Sequence, residues 1–258
     1  IPASSLPAII RTFAPYLYKG ILHTPKIEAT SHWRARTRAL SVMAHFPIEE
    51  PEDSGSAVVR SVLRSIQHGK LNWAAIAHLP QNIGEVANLT WTAKVRHRRA
   101  ISRRAHIRLN LDCEQYPSPD NRITLSNHTD ELGMPIPQLH WRIGERERHT
   151  ITTYSNTIDT LFQTMKIELP YWRPELKEEN DTWLNYAGDT FHMMGGTRMG
   201  TSSANSVVDR NLRVHGIDNL WVAGCSVFPT GGSSNPTFTM MALTLRLADT
   251  LKNYLHTK

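Results

Sequence analysis

The chain has 258 residues, 40% of them hydrophobic and 20% charged, with 29 Lys and Arg against 23 Asp and Glu. That balance excludes a disordered chain, and no run approaches the roughly 18 consecutive apolar residues of a membrane helix, so no membrane span is expected. The only cysteines, Cys113 and Cys225, exclude a disulfide framework and a cysteine metal cluster, and both read as buried free thiols in strand-like runs.

Residues 1–104 read as mostly helical or irregular. Ser41 to Phe46 has the pattern of a short strand. Pro47, Pro51 and Gly55 mark a loop. Val59, Leu63 and Ile66 then follow at helical spacing, which predicts a helix over 56–67 that stops at Gly69. Lys94, Arg96, Arg98, Arg99, Arg103, Arg104 and Arg108 crowd a basic run with His97 and His106. No aromatic residue interleaves it and no zinc-finger or RNP-like motif accompanies it. The run reads as a solvated connector, and no nucleic-acid partner is expected.

The period changes at Ala105. Ile107, Leu109 and Leu111 alternate with Arg108, Asn110 and Asp112, a half-buried strand over 105–115. Pro117 to Asn121 is a turn by composition, Arg122 to Ser126 a returning strand, Asp130 to Gly133 a second turn and Ile136 to Ile143 a third strand. These predict an antiparallel meander. Glu145 to Met165 reads as a helix with Ile151, Ile158, Leu161, Phe162 and Met165 on one face and a slip near Tyr154. Residues 166–190 read as loop or short elements. Short strands are expected at Leu212 to Val214 and Leu220 to Ala223, and a loop at Pro229 to Ser234. A helix then runs from Asn235 to Leu251, with Asn235 as N-cap and Pro236 in the first helical position.

The last third carries the specific pattern. His192-Met193-Met194-Gly195-Gly196-Thr197-Arg198-Met199-Gly200 is followed by Val207-Val208-Asp209, Leu212-Arg213-Val214-His215-Gly216 and Leu220-Trp221-Val222-Ala223-Gly224-Cys225. Asn235-Pro236-Thr237-Phe238-Thr239 closes the series. This order of segments resembles the C-terminal part of the glucose-methanol-choline (GMC) oxidoreductases. The run Cys113-Glu114-Gln115 with Asp120-Asn121-Arg122-Ile123-Thr124-Leu125 also resembles that family's substrate-domain sheet.

The resemblance implies an FAD-dependent oxidoreductase acting on CH–OH donors, an alcohol or sugar, with hydride passing to flavin N5. His192 matches the family's flavin-side histidine and would be the general base. Histidine suits that role because its pKa lies near neutrality. Asn235 would hold the substrate oxygen but cannot serve as a titrating base. Gly224 and Cys225 would pass the flavin's ribityl chain, and Pro236 and Thr237 would meet its pyrimidine edge at a helix start. Gly224 stands where much of the family has Asp, so only backbone contact is implied there. For an isolated His the commoner role is a loop histidine satisfied by hydrogen bonds, and for an isolated Asn a helix cap. The order of the segments is what favours the site.

No Gly-x-Gly occurs anywhere in the chain, so the family's pyrophosphate-binding fingerprint is missing. With Ile1 first, the chain is expected to be a C-terminal portion of a longer enzyme, binding FAD weakly or not at all on its own. The expected fold class is α+β: an antiparallel substrate-domain sheet flanked by helices, plus the C-terminal strand and helix of a Rossmann-like FAD domain whose N-terminal part is absent. Residues 1–190 would form the substrate-binding domain, with 1–104 carrying no specific motif, and residues 191–258 would complete the FAD-binding domain and active site. No metal site is expected, because no His or Cys pair has ligand spacing. The rival readings are a non-catalytic binding module without flavin and, on the basic run, a nucleic-acid binder. Substrate, electron acceptor and compartment cannot be read from the sequence.

Overall fold

Glycines and prolines cut this chain into many short elements, and the computed structural model shows them as small antiparallel sheets and helices, an α+β architecture. It describes residues 1–256 apart from Arg96, Ala100, Arg103 and Glu179. Two compact units divide the chain. One comprises Ile1–Glu28, Met43–Leu111 and Ser155–Trp172, the other Ala29–Val42, Asp112–Tyr154 and Arg173–Lys258.

The first unit contains more strand than the sequence suggested. Tyr16–Tyr18 and Ile21–His23 form a hairpin with Tyr18 opposite Ile21. Its two loop residues, Lys19 and Gly20, have φ of 49° and 77°. A two-residue loop with both φ positive matches the twist of the flanking strands. The three-residue strands are too short to display an alternation.

The helix expected over 56–67 forms as Gly55–Gln67. The Ser54 hydroxyl caps it by accepting from Ala57 N at 3.3 Å. It stops as predicted at Gly69, whose φ is +68°. Gly69 N donates to Ile66 O and Lys70 N to Ser65 O, the paired bonds of a Schellman end. The buried face is different, however. Val58 is buried, whereas Leu63 and Ile66 are exposed. Gly55 N donates to Glu85 Oε2 at 3.0 Å, and a Cβ on Gly55 would lie 3.0 Å from Glu85 Cβ. That close approach turns the Val58 side inward.

Three arginines of the basic run are spent on carboxylates. Arg104 pairs with Asp53 at 2.9 Å, Arg108 with Glu49, and Arg99 with Glu50 at 3.2 Å. Arg60 also reaches Glu50, at 2.7 Å. Burial of Glu50 opposes its charge, but bonds from Ser56 and from Ser102 N, with the Arg60 and Arg99 charges, outweigh that and hold its carboxyl below the usual range. Arg96 and Arg103 of the run lie outside the described residues.

The strand expected over 105–115 breaks in two, His106–Ile107 and Asn110–Cys113. Arg108 N turns aside to Pro47 O at 3.0 Å. The three-stranded meander is therefore a two-stranded hairpin, Arg122–Thr129 with Pro135–His140, while Asn110–Cys113 joins another sheet. Ile123 pairs with Leu139 and Leu125 with Pro137, and a bulge intervenes before Thr129 meets Pro135. Asp130 makes the turn: its carboxylate accepts from Leu132 N and Met134 N, both at 2.9 Å.

The helix Glu145–Thr164 has no slip at Tyr154. Ile151, Tyr154, Ile158 and Phe162 are all buried and recur at the three- and four-residue spacing of one face. Tyr154 packs edge-on against Trp33 within the second unit.

The C-terminal part of the second unit folds around Val208, Leu212, Val227, Phe228 and Leu247, with Met194, Met199, Val214, Trp221, Val222 and Met240 packed on them. The strands expected at Leu212 to Val214 and Leu220 to Ala223 are reduced to isolated bridges, Val208 with Val214 and Arg213 with Trp221. The cause is the tight turn before them. Asp209 Oδ1 accepts from Asn211 N at 2.8 Å and Arg213 N at 3.0 Å, and Leu212 has φ +66°. Leu212 is 1% exposed. Leu212→Ala is expected to lower the unfolding free energy by about 3 kcal/mol through the cavity it leaves, measured by urea denaturation.

Candidate functional site

All the candidate site residues lie in the second unit, in the stretches 191–200 and 224–237. Backbone hydrogen bonds lay the first stretch along the second. Gly195 N donates to Cys225 O at 3.4 Å, Thr197 N to Ser226 O at 2.9 Å and Met199 N to Val227 O at 2.8 Å. Cys225–Val227 is a single 3-10 turn, so three successive carbonyls receive these bonds. The Thr197 hydroxyl adds a bond to the Ser226 hydroxyl at 2.7 Å.

Side chains link the same stretches. A Cβ on Gly231 would sit 3.1 Å from Met194 Cε, so this glycine leaves Met194 room beside the loop that leads to Asn235. The Cys225 thiol lies 3.6 Å from the Met240 sulfur, which ties the 3-10 turn to the first turn of the C-terminal helix. Gly200 is closely packed as well, since an added Cβ would lie 2.7 Å from Ser206 Cβ.

Gly224 has φ +124° with ψ −178°, a conformation that belongs almost wholly to glycine. A Cβ there would meet nothing within 4 Å, and the same holds at Gly196. The backbone at these two positions therefore faces open space.

The C-terminal helix runs Thr237–His256, two residues later than expected. Met240 N donates to Pro236 O at 2.9 Å, so the carbonyl of Pro236 accepts the first helical bond. Pro236 thus takes the N-cap position, and Asn235 is not the cap. The fixed φ of proline suits this junction, and Asn235 is released to a position one residue before it. Thr237 and Asn235 are exposed and Pro236 is buried. The backbone N–H groups of the first helical turn have no partner four residues back, which makes this end electropositive.

His192 is exposed and follows Phe191, whose φ is +59° and whose N–H bonds to Asp189 Oδ1 at 2.7 Å. Among the described residues neither the His192 nor the Asn235 side chain makes a hydrogen bond. The segments bearing them are brought together by the bonds above. His140 and His215 are each engaged by a hydroxyl, of Thr124 at 2.8 Å and of Ser206 at 3.0 Å.

Residues to which the sequence assigned no role in the site also bind these stretches. Glu114, Ser41 and Ser233 bond to one another across the second unit. Their separations, 73 and 192 residues, exceed any local pattern. Both cysteines are free and only half-buried as residues. The Cys113 thiol is nonetheless pushed up to about 12, first by burial and then by the carboxylates of Glu147 and Glu114. Among the described residues no cluster of His, Cys, Asp and Glu could hold a metal, and no helix is long and apolar enough to cross a membrane.

The candidate loops and helix start fall inside a stretch with the sequence of an oxidoreductase C-terminal region. Residues 117–244 match the family described as GMC oxidoreductase. Through that stretch the chain belongs to the GMC oxidoreductase family. It is 34% identical to the fructose dehydrogenase large subunit of Gluconobacter japonicus over 145 residues, 54% of this chain and 24% of that protein. It is 31% identical to pyranose 2-oxidase of Tricholoma matsutake, over 54% of this chain and 23% of that protein. It is 29% identical to 2-methyl-1,2-propanediol dehydrogenase of Mycolicibacterium austroafricanum, over 56% of this chain and 25% of that protein. The matched stretch thus spans about a quarter of the length of these curated relatives.

The raised Cys113 pKa has a signed consequence. A neutral thiol favoured by the fold contributes stability in full below the unfolded pKa of 9.0, and that contribution is lost as pH rises towards about 12. The difference in unfolding free energy between the wild type and Cys113→Ala is expected to be constant from pH 6 to 9 and to shrink above it, as read by urea denaturation across that range.

Proposed function

We propose that the chain supplies the C-terminal part of an FAD-dependent oxidoreductase acting on the CH–OH group of an alcohol or sugar. The observation that carries this reading is the hydrogen-bonded alignment of residues 195–199 with 225–227. It gathers the His192 loop, the glycine turn at Gly224 and the approach to Asn235 onto one core, inside the stretch that matches the GMC family. Relatives named as a fructose dehydrogenase and a pyranose 2-oxidase support a sugar or alcohol donor.

The residues present fit the flavin ring and its ribityl chain. The open backbone at Gly224, continuing to Cys225, admits close approach of a flat or extended group. Pro236 and Thr237 stand at an electropositive helix start that suits the pyrimidine edge of the ring. The chain holds no Gly-x-Gly, so the pyrophosphate falls to other residues of the full-length protein. In this reading residues 1–190 form the substrate side and 191–258 complete the flavin side.

When bound, FAD supplies the acceptor, at N5, for the hydride that leaves the alcohol carbon. The exposed imidazole of His192 takes the hydroxyl proton. The Asn235 amide donates to the same oxygen and holds it while negative charge develops there. Both groups need no rearrangement of a prior hydrogen bond to reach a substrate.

In the flavin-loaded full-length protein, His192→Ala is expected to slow anaerobic flavin reduction by substrate by about a hundredfold or more. Asn235→Ala is expected to slow it by about a hundredfold with flavin content unchanged. Stopped-flow absorbance of the flavin measures both. Wild-type rates in the two variants would remove His192 and Asn235 from the chemistry.

A further inference from the structure

We infer that Glu114 is a positioning residue that holds Asn235 in its working place, an inference that rests on the function proposed above. The Glu114 carboxylate spans two chain segments far from it in sequence. Oε2 accepts from Ser41 N at 3.2 Å and Oε1 accepts from Gly232 N at 3.0 Å. Glu114 N in turn donates to Ser41 O at 2.8 Å. Ser233 continues the clasp: its N–H donates to Ser41 Oγ at 3.2 Å and its hydroxyl meets the same Oγ at 2.9 Å. Ser41 and Ser233 are both buried.

This clasp grips the loop at Gly232 and Ser233, three and two residues before Asn235. On the far side, Pro236 fixes the chain through its ring and through its bond from Met240 N. Asn235 is exposed and has no side-chain hydrogen bond of its own among the described residues. Its location is therefore set by its two flanks, the helix start and the Glu114 clasp. Gly232 has φ +68°, so its N–H points to the carboxylate from a left-handed backbone that a larger residue adopts only with strain.

Carboxylate chemistry suits the task. A carboxylate accepts at both oxygens, so it can satisfy two backbone N–H groups at once. A glutamine of the same shape accepts at one oxygen and sets an NH2 against the other N–H. Glu114→Gln thus opens one side of the clasp without a change in volume. Ser233→Ala removes the hydroxyl link and leaves the carboxylate in place.

The test uses the flavin-loaded full-length protein and two readouts. Amide hydrogen exchange of residues 230–236 is expected to quicken by about tenfold in Glu114→Gln, with exchange in the helix Glu145–Thr164 unchanged. Flavin reduction by saturating substrate is expected to slow by about tenfold in Glu114→Gln, with less loss in Ser233→Ala. In the Asn235→Ala background, Glu114→Gln is expected to cause almost no further slowing. Equal slowing by Glu114→Gln with and without Asn235, or unchanged exchange at 230–236, overturns the positioning role alone. Normal flavin reduction by Asn235→Ala itself overturns the proposed function and this inference with it.

Discussion

Three backbone hydrogen bonds, from Gly195, Thr197 and Met199 to the carbonyls of Cys225, Ser226 and Val227, set the geometry of everything around them. Each satisfies main-chain groups that would be costly to leave unpaired inside the fold. Together they fix the register between two loops that have no sheet of their own. Val227 and Phe228, directly downstream, are buried with Val208, Leu212 and Leu247, so the aligned loops rest on an apolar floor. Because the pairing is between main-chain atoms, it constrains side-chain identity mainly at the glycines and at the floor. His192 and Asn235 can then stay exposed at the ends of loops whose middles are held.

Carboxylates complete the framework in the second unit. Glu147 accepts from Tyr116 N at 2.6 Å and Gly144 N at 2.9 Å, closing the chain around the start of the helix Glu145–Thr164. Glu114 closes Ser41 onto Gly232 in the same manner. Each carboxylate works as a two-ended acceptor for backbone donors that lack a sheet or helix partner. Burial first, and then the carboxylates of Glu147 and of the adjacent Glu114, keep the Cys113 thiol protonated where an isolated thiol would begin to ionise. A neutral Cys113 is the form compatible with two negative neighbours.

The sequence made the longer helices and the turn chemistry legible because those signals are local. Ser54, Gly69 and Asp130 each act within five residues of where they stand. The His192 and Asn235 motifs were legible through family likeness, with their glycines marking where the backbone bends sharply. The two-residue strand Ile48–Glu49 was not legible, since two residues cannot show an alternation. The inward face of Gly55–Gln67 was misread because a contact thirty residues away, at Glu85, rotates it. The Asn235 cap was misplaced because Asn-Pro at a helix start suits two registers, and the bond to the Pro236 carbonyl selects the later one. Glu114 stood in a run that resembles the family's sheet, but nothing local pointed to Gly232, its partner 118 residues later.

That separation has a consequence for the order in which the molecule is made. Ser233 emerges from the ribosome 192 residues after Ser41, its bonding partner. Until residues 232 and 233 are made, Glu114 Oε1 and the Ser41 hydroxyl lack their final partners, Gly232 N and Ser233. Contacts of such long sequence separation form late and slowly, since loop closure must precede any gain from them. The Glu147 closure, spanning 31 residues from Tyr116, can assemble much earlier. The nascent second unit therefore acquires its hairpin and helix first and its site last. A chain that stalls before Gly232 would carry the fold's early half with its apolar floor still open, the kind of intermediate on which chaperones act.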